Sequence, residues 1–119
     1  MRPGVDVVAI DRVAAVTARR PGFLARVFTD REVGDCLRDG VDADSLVAAA
    51  RFAARFAAKE ATRKALRRPM GWLDVEVRTA ADGAPELWVD GAPSAASVSL
   101  AHDAGIAIAF VIATGTETS

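Results

Sequence analysis

The order of apolar and polar positions predicts a strand, a run of helices, then more strands. Gly4 to Ile10, GVDVVAI, is an apolar run broken only by Asp6 and reads as a buried strand. Asp11 stands where a helix N-cap belongs, and Pro21-Gly22 interrupts the helix that follows. Phe23 to Phe28 gives a short apolar turn. Thr29, with Glu32 three residues on, has the spacing of a capping box. Asp39-Gly40 ends that segment. Asp44 or Ser45 then caps a long helix running to about Arg68, stopped by Pro69 and Gly71. Beyond it, Trp72 to Val77 and Glu86 to Val89 alternate apolar and polar residues around an Asp82-Gly83 turn. Asp90-Gly91 turns the chain again. Ser97–Leu100 and Gly105–Ile112 read as a hairpin around AHDAG, and Thr114 to Ser119 as a frayed polar tail. The expected architecture is α+β, one domain over residues 1–119.

The long helix carries the first sign of chemistry. At about 100° per residue, Arg51, Arg55, Lys59, Arg63 and Arg67 form one drifting basic stripe. Ala53, Ala54, Ala57, Ala58, Ala61 and Ala65 gather opposite. Glu60 projects at the edge of that small-residue face and Lys64 inside it, four residues apart and able to meet. Such a pair is often only a solvated surface contact. It also suits a site in which the carboxylate holds a metal and the ammonium faces a phosphate. The small face is then expected to be small because substrate or a neighbouring subunit approaches it.

Composition narrows the classes. The chain has 119 residues, 51% hydrophobic and 26% charged, with a net charge of −1. That is an ordinary globular composition, and no apolar run reaches the ~20 residues of a membrane span. MRPGVDVVAID meets an aspartate too early for a signal peptide. The single cysteine, Cys36, excludes an internal disulfide and a multi-cysteine metal site and fits a reducing cytoplasm. The near-neutral total hides a basic stretch at residues 51–68, an acidic one at 30–44, and a stretch after residue 69 whose only cation is Arg78. A local basic surface on a near-neutral protein points to an anionic ligand or an acidic partner rather than nucleic acid.

Three features remain: Asp6 in an apolar strand, Glu60 with Lys64 on the long helix, and His102-Asp103 at a strand end, with the only histidine in the chain. A lone histidine there is more often structural, and Asp6 alone could be a turn residue. Together, GVDV (4–7), ARFAAKEATRKAL (54–66) and VSLAHDAGIAIAFVIA (98–113) resemble the holo-(acyl-carrier-protein) synthase type of 4'-phosphopantetheinyl transferase. Arg26-Val27-Phe28-Thr29 and the Trp72–Val77 segment fall at the expected places between them.

The resemblance implies a long helix packed on a mainly antiparallel sheet and a homotrimer with sites between subunits. It implies transfer of the phosphopantetheine arm of coenzyme A to a serine of an apo acyl carrier protein, giving adenosine 3',5'-bisphosphate. Asp6 and Glu60 would hold magnesium and Lys64 would lie near the transferring phosphate. His102 and Asp103 would lie beside the coenzyme A phosphates and the reacting centre, and Arg55 and Lys59 would hold coenzyme A phosphates. Asp6, Asp103 or a metal-held water is the base for the serine proton. Arg12, Arg19, Arg20 and Arg26 lie in the carrier-binding region. The carrier could serve fatty-acid, polyketide or peptide synthesis. Departures from the family pattern are a short connection from Trp88 to Ser97, Arg67-Arg68-Pro69-Met70-Gly71 in place of a glycine-rich turn, and Ala101 where a hydroxyl residue is common. The competing readings are a non-catalytic homologue that binds carrier or coenzyme A, and a basic-helix nucleic-acid binder. The net charge and the absence of tyrosine disfavour the latter.

Overall fold

The computed structural model describes residues 1–114; the predicted polar tail lies, apart from Thr114, outside them. One long helix organises the molecule. In chain order the elements are β1 (Arg2–Ala9), α1 (Ile10–Arg19), α2 (Phe23–Val27), α3 (Asp30–Cys36), α4 (Leu46–Leu66), β2 (Val75–Thr79), β3 (Pro85–Val89), β4 (Ala92–Pro93), β5 (Ser97–Asp103) and β6 (Ile106–Ala113), with 3-10 turns at Arg38–Gly40 and Trp72–Asp74. β1, β6 and β5 form one antiparallel sheet in that order, and β2, β3 and β4 form a second. The α+β expectation holds.

α4 lies against the first sheet, and its alanines make the contact. Ala53, Ala57, Ala58, Ala61 and Ala65 are fully buried. Gly4 on β1 shows why this face is small: a Cβ there would overlap the Ala61 carbonyl oxygen. The face is small because helix and strand approach to backbone contact, not because substrate or a neighbouring subunit lies on it. Ala57, Ala58, Ala61 and Ala65 pack with Val75, Val77, Leu87, Ala109 and Val111. The N-terminal half of α4 packs its Phe52 and Ala53 with Ile10, Val13, Val27, Phe28 and Ala107.

The caps follow local chemistry. Ser45 Oγ accepts from Ala48 N at 3.1 Å and starts α4; Arg67, in the left-handed region at φ 58°, ends it. Thr29 and Glu32 close the expected capping box. Asp11 is not an N-cap: α1 starts one residue earlier, after Ala9, and Asp11 sits in its first turn. Trp72–Asp74 is a 3-10 turn rather than strand, because Asp74 Oδ2 accepts from Gly71 N at 2.7 Å. The short connection after Trp88 turns at Asp90-Gly91 into the two-residue β4.

Within the single chain, neither β1 nor β6 is covered on both faces. Alternation along β1 and β6 turns Gly4, Asp6, Ala107, Ala109 and Val111 toward α4. The opposite face shows Val5, Val7, Ile106, Ile108 and Phe110 to solvent, at 39–58% exposure. That is a contiguous apolar sheet face of the kind that marks an association surface.

Candidate functional site

β1 is the edge strand beside the C-terminal half of α4. Its Asp6 points toward the helix, where Lys64 Nζ donates to Asp6 Oδ1 at 3.2 Å and to the Val5 carbonyl at 2.9 Å. One helical turn earlier stands Glu60, whose Oε1 accepts from Arg63 Nη1 at 2.9 Å. The structure therefore brings Asp6, Glu60 and Lys64 to one flank of α4, as the sequence leads one to expect. Arg63 is a residue the sequence reading left in the basic stripe. Its Nε and Nη2 both donate to the Met70 carbonyl, at 3.0 and 2.6 Å, and its guanidinium lies 4.4 Å over the Trp72 ring. Trp72 stacks in turn on Phe56. Arg63 is thus pinned, and it pins Glu60.

Among the described residues, each of these carboxylates is engaged through one oxygen, leaving Asp6 Oδ2 and Glu60 Oε2 for another ligand. No group of three or more His, Cys, Asp and Glu side chains suited to a metal occurs among the described residues. Two carboxylates without a closed cage suit a hard cation such as magnesium, which keeps waters and substrate phosphate oxygens as its other ligands.

His102 lies elsewhere. Arg55 and Glu60, five residues apart, are rotated by about 140° around the helix axis. Arg55 points to the flank beside β5 and β2. There Arg38, Arg51, Arg55, Thr79, Leu100 and His102 line a cavity of about 330 Å³. Arg55 Nη2 donates to Thr79 Oγ1 at 3.3 Å, while its Nε is buried with no hydrogen-bond partner among the described residues. Arg38 and Arg51 join this group only in three dimensions; the sequence signal for Arg51 was its place one turn before Arg55. Asp103 pairs with Ile106 and shares its outward face, so adjacent His102 and Asp103 diverge.

Lys59 requires a correction. It does not face a ligand but is 1% exposed in the core, ion-paired to Glu32 Oε1 at 2.7 Å. It also donates to the carbonyls of Trp72, at 2.9 Å, and Val75. Burial lowers its pKa, with the Glu32 carboxylate pulling the other way. The available signal was Phe52, seven positions earlier and so on nearly the same helix face.

The four arginines of the first helical region do converge. Arg12, Arg19, Arg20 and Arg26 rim a groove of about 490 Å³ floored by Val8, Val13, Val16, Phe23 and Phe56. Phe56 lies one turn before Glu60, and Val8 two residues after Asp6, so the groove runs up to the carboxylate flank.

Comparison with known proteins follows the same lines. The model of the 4'-phosphopantetheinyl transferase superfamily matches residues 2–111. The holo-[acyl-carrier-protein] synthase of Frankia alni is 44% identical, covering 92% of this chain and 93% of its own. That of Streptomyces avermitilis is 43% identical, covering 94% and 95%. The crystal structure of Helicobacter pylori holo-[acyl-carrier-protein] synthase in complex with coenzyme A superposes with a TM-score of 0.76 at 27% identity, over 94% of this chain and 99% of that one. The Bacillus anthracis enzyme in complex with coenzyme A (3',5'-ADP) gives 0.75 at 28% identity, over 92% of each chain.

Proposed function

We propose that this chain, which belongs to the 4'-phosphopantetheinyl transferase superfamily, is a holo-(acyl-carrier-protein) synthase. It transfers 4'-phosphopantetheine from coenzyme A to a serine hydroxyl of an apo acyl carrier protein. The serine oxygen bonds to phosphorus, the bond to the bridging oxygen of the pyrophosphate breaks, and adenosine 3',5'-bisphosphate leaves. The serine proton passes to a base. Such a transfer depends on positioning and charge neutralisation.

The observation that carries this reading is the pair of carboxylates, each with one uncommitted oxygen, gathered with Lys64 on the flank that an arginine-rimmed groove approaches. Asp6 and Glu60 hold magnesium, which supplies neutralisation of the pyrophosphate charge. Lys64 donates to the phosphate oxygens. Arg12, Arg19, Arg20 and Arg26 dock an acidic helix of the carrier, with the apolar floor beneath it and the serine delivered toward Asp6 and Glu60.

The site is completed by a second copy of the chain. Asp6, Glu60 and Lys64 occupy one flank of α4; Arg38, Arg51, Arg55 and His102 occupy the other. β1 and β5 are opposite edges of one sheet. A head-to-tail contact in a cyclic trimer sets the first flank of one protomer against the second flank of the next, and the apolar sheet face is buried within the ring. In that arrangement the cavity holding Arg55 and His102 takes the nucleotide phosphates. The free, buried Cys36 suits a cytoplasmic setting, and no helix among the described residues is long and apolar enough to cross a membrane.

Intact mass of an apo acyl carrier protein tests the reading. Incubation with this protein, coenzyme A and magnesium is expected to add one phosphopantetheine, and EDTA or Glu60→Gln to abolish the gain. No gain across fatty-acid, polyketide and peptide-synthetase carriers would refute it.

A further inference from the structure

Both carboxylates of the β1 flank are held by cations of the chain itself, but in different ways. Arg63 is immobilised: its three donor nitrogens are all engaged and its plane rests on Trp72. Lys64 is not. Its side chain is 54% exposed, and its two contacts are Asp6 Oδ1 and the Val5 carbonyl, which lies on the edge strand. An ammonium between a carboxylate oxygen and a backbone carbonyl occupies the kind of oxygen-lined position a hard divalent cation takes.

We propose that Lys64 is a placeholder that exchanges with the metal. Its ammonium neutralises Asp6 in the empty protein and leaves Asp6 when the metal enters, and the pyrophosphate of coenzyme A then receives it. Arg63 stays on Glu60 throughout and fixes that carboxylate's direction. This rests on the metal and coenzyme A reading above.

The exchange has a thermodynamic consequence. Magnesium taking the ammonium's own position between Asp6 Oδ1 and the Val5 carbonyl breaks the Lys64–Asp6 contact, and so does coenzyme A alone if it recruits Lys64. Whichever ligand arrives second finds the contact already broken. The shared contact therefore couples the two ligands positively and reciprocally. The coupling is a property of Lys64, over and above any direct bond between metal and phosphate.

Calorimetric titration of magnesium into the protein, with and without saturating coenzyme A, tests this in wild type and Lys64→Met. Lys64 is exposed and outside the core, so the variant folds. Lys64→Met is expected to tighten magnesium binding to the coenzyme A-free protein by roughly two- to fivefold, the worth of an exposed ion pair. With coenzyme A bound the tightening should vanish, so the coupling factor falls by the same amount. An unchanged or weaker affinity in the coenzyme A-free variant overturns the exchange. So does equal tightening with and without coenzyme A, which would mark a through-space charge effect. Wild-type protein that binds no magnesium under either condition overturns the metal reading itself, and the exchange with it.

Discussion

Lys59 and Lys64 stand five residues apart on one helix and make one ion pair each, yet the two pairs belong to different parts of the protein's economy. Lys59 meets Glu32 at 2.7 Å with both side chains essentially inaccessible to water. Glu32 is satisfied further by Thr29 N at 2.9 Å and Val77 N at 2.8 Å. That network ties α3, α4 and β2 together and leaves no donor over for a ligand. Lys64 meets Asp6 at 3.2 Å on an exposed edge, with few partners and nothing packed to hold it there. A buried charge with every donor answered is architecture. An exposed charge that shares a carboxylate with an empty coordination position is available for chemistry.

The sharpest way to break that contrast is to remove one member of the buried pair. Glu32→Gln or Lys59→Met leaves an uncompensated partner in the core and is expected to cost about 3–5 kcal/mol in urea unfolding. A loss below about 1 kcal/mol would mean the network contributes little, and Lys59 would lose its structural assignment. The exposed lysine should behave oppositely. Lys64→Met is expected to change stability by no more than about 0.5 kcal/mol, while lowering the rate of phosphopantetheine transfer by about 100-fold, as removal of one preorganised charge at a reacting phosphate does. Measured together, the two variants separate scaffold from site.

Between these lies the backbone contact that brings β1 to α4. Gly4→Ala forces β1 away from Ala61 and should cost about 1–3 kcal/mol, the usual penalty for overpacking. Because the shift moves Asp6 relative to Glu60, magnesium affinity should fall with it. Unaltered stability and affinity would show that the strand can yield without moving the carboxylate. A last effect appears only at high pH and concerns Cys36. Burial pushes its thiol up from 9.0 to about 11. Between those pH values the unfolded chain has lost the proton and the folded chain keeps it. Stability therefore falls as pH rises through this window, by at most about 1.4 kcal/mol per pH unit. Cys36→Ala should flatten that slope; an identical slope in the variant would assign it to other groups.

Much of this was legible in the residues. Pro21-Gly22, the Thr29–Glu32 box, Ser45, Pro69 and the alternation of β2 and β3 act within a few residues, so the sequence displays them directly. Asp6, Glu60 and Lys64 were legible through their motifs and through the cost of a carboxylate in an apolar strand. What escaped the sequence depends on which side of a helix is covered, and by what. The stripe Arg51 to Arg67 looks continuous by period, but β2 and α3 close over its middle and bury Lys59. The face around Ala57 and Ala61 looked open to a ligand because nothing local says that Gly4 will press against it. The strand Ile106–Ala113 reads as apolar on both sides whether its outer face meets a neighbour's surface or its own core. His102 appeared to join Asp6 because order along the chain carries no information about opposite flanks of one helix.

That division into two flanks is the centre of the account, and subunit complementation tests it most directly. Glu60→Gln and an Arg55→Ala/His102→Ala variant should each be inactive when assayed alone. Co-expressed in equal amounts, they should regain about a quarter of wild-type transfer activity, because random assembly gives that share of sites an intact carboxylate flank from one chain and an intact Arg55–His102 flank from the next. Mixed assemblies that stay inactive, though shown to contain both chains, would contradict a site shared between neighbours and would require both flanks to serve within a single protomer.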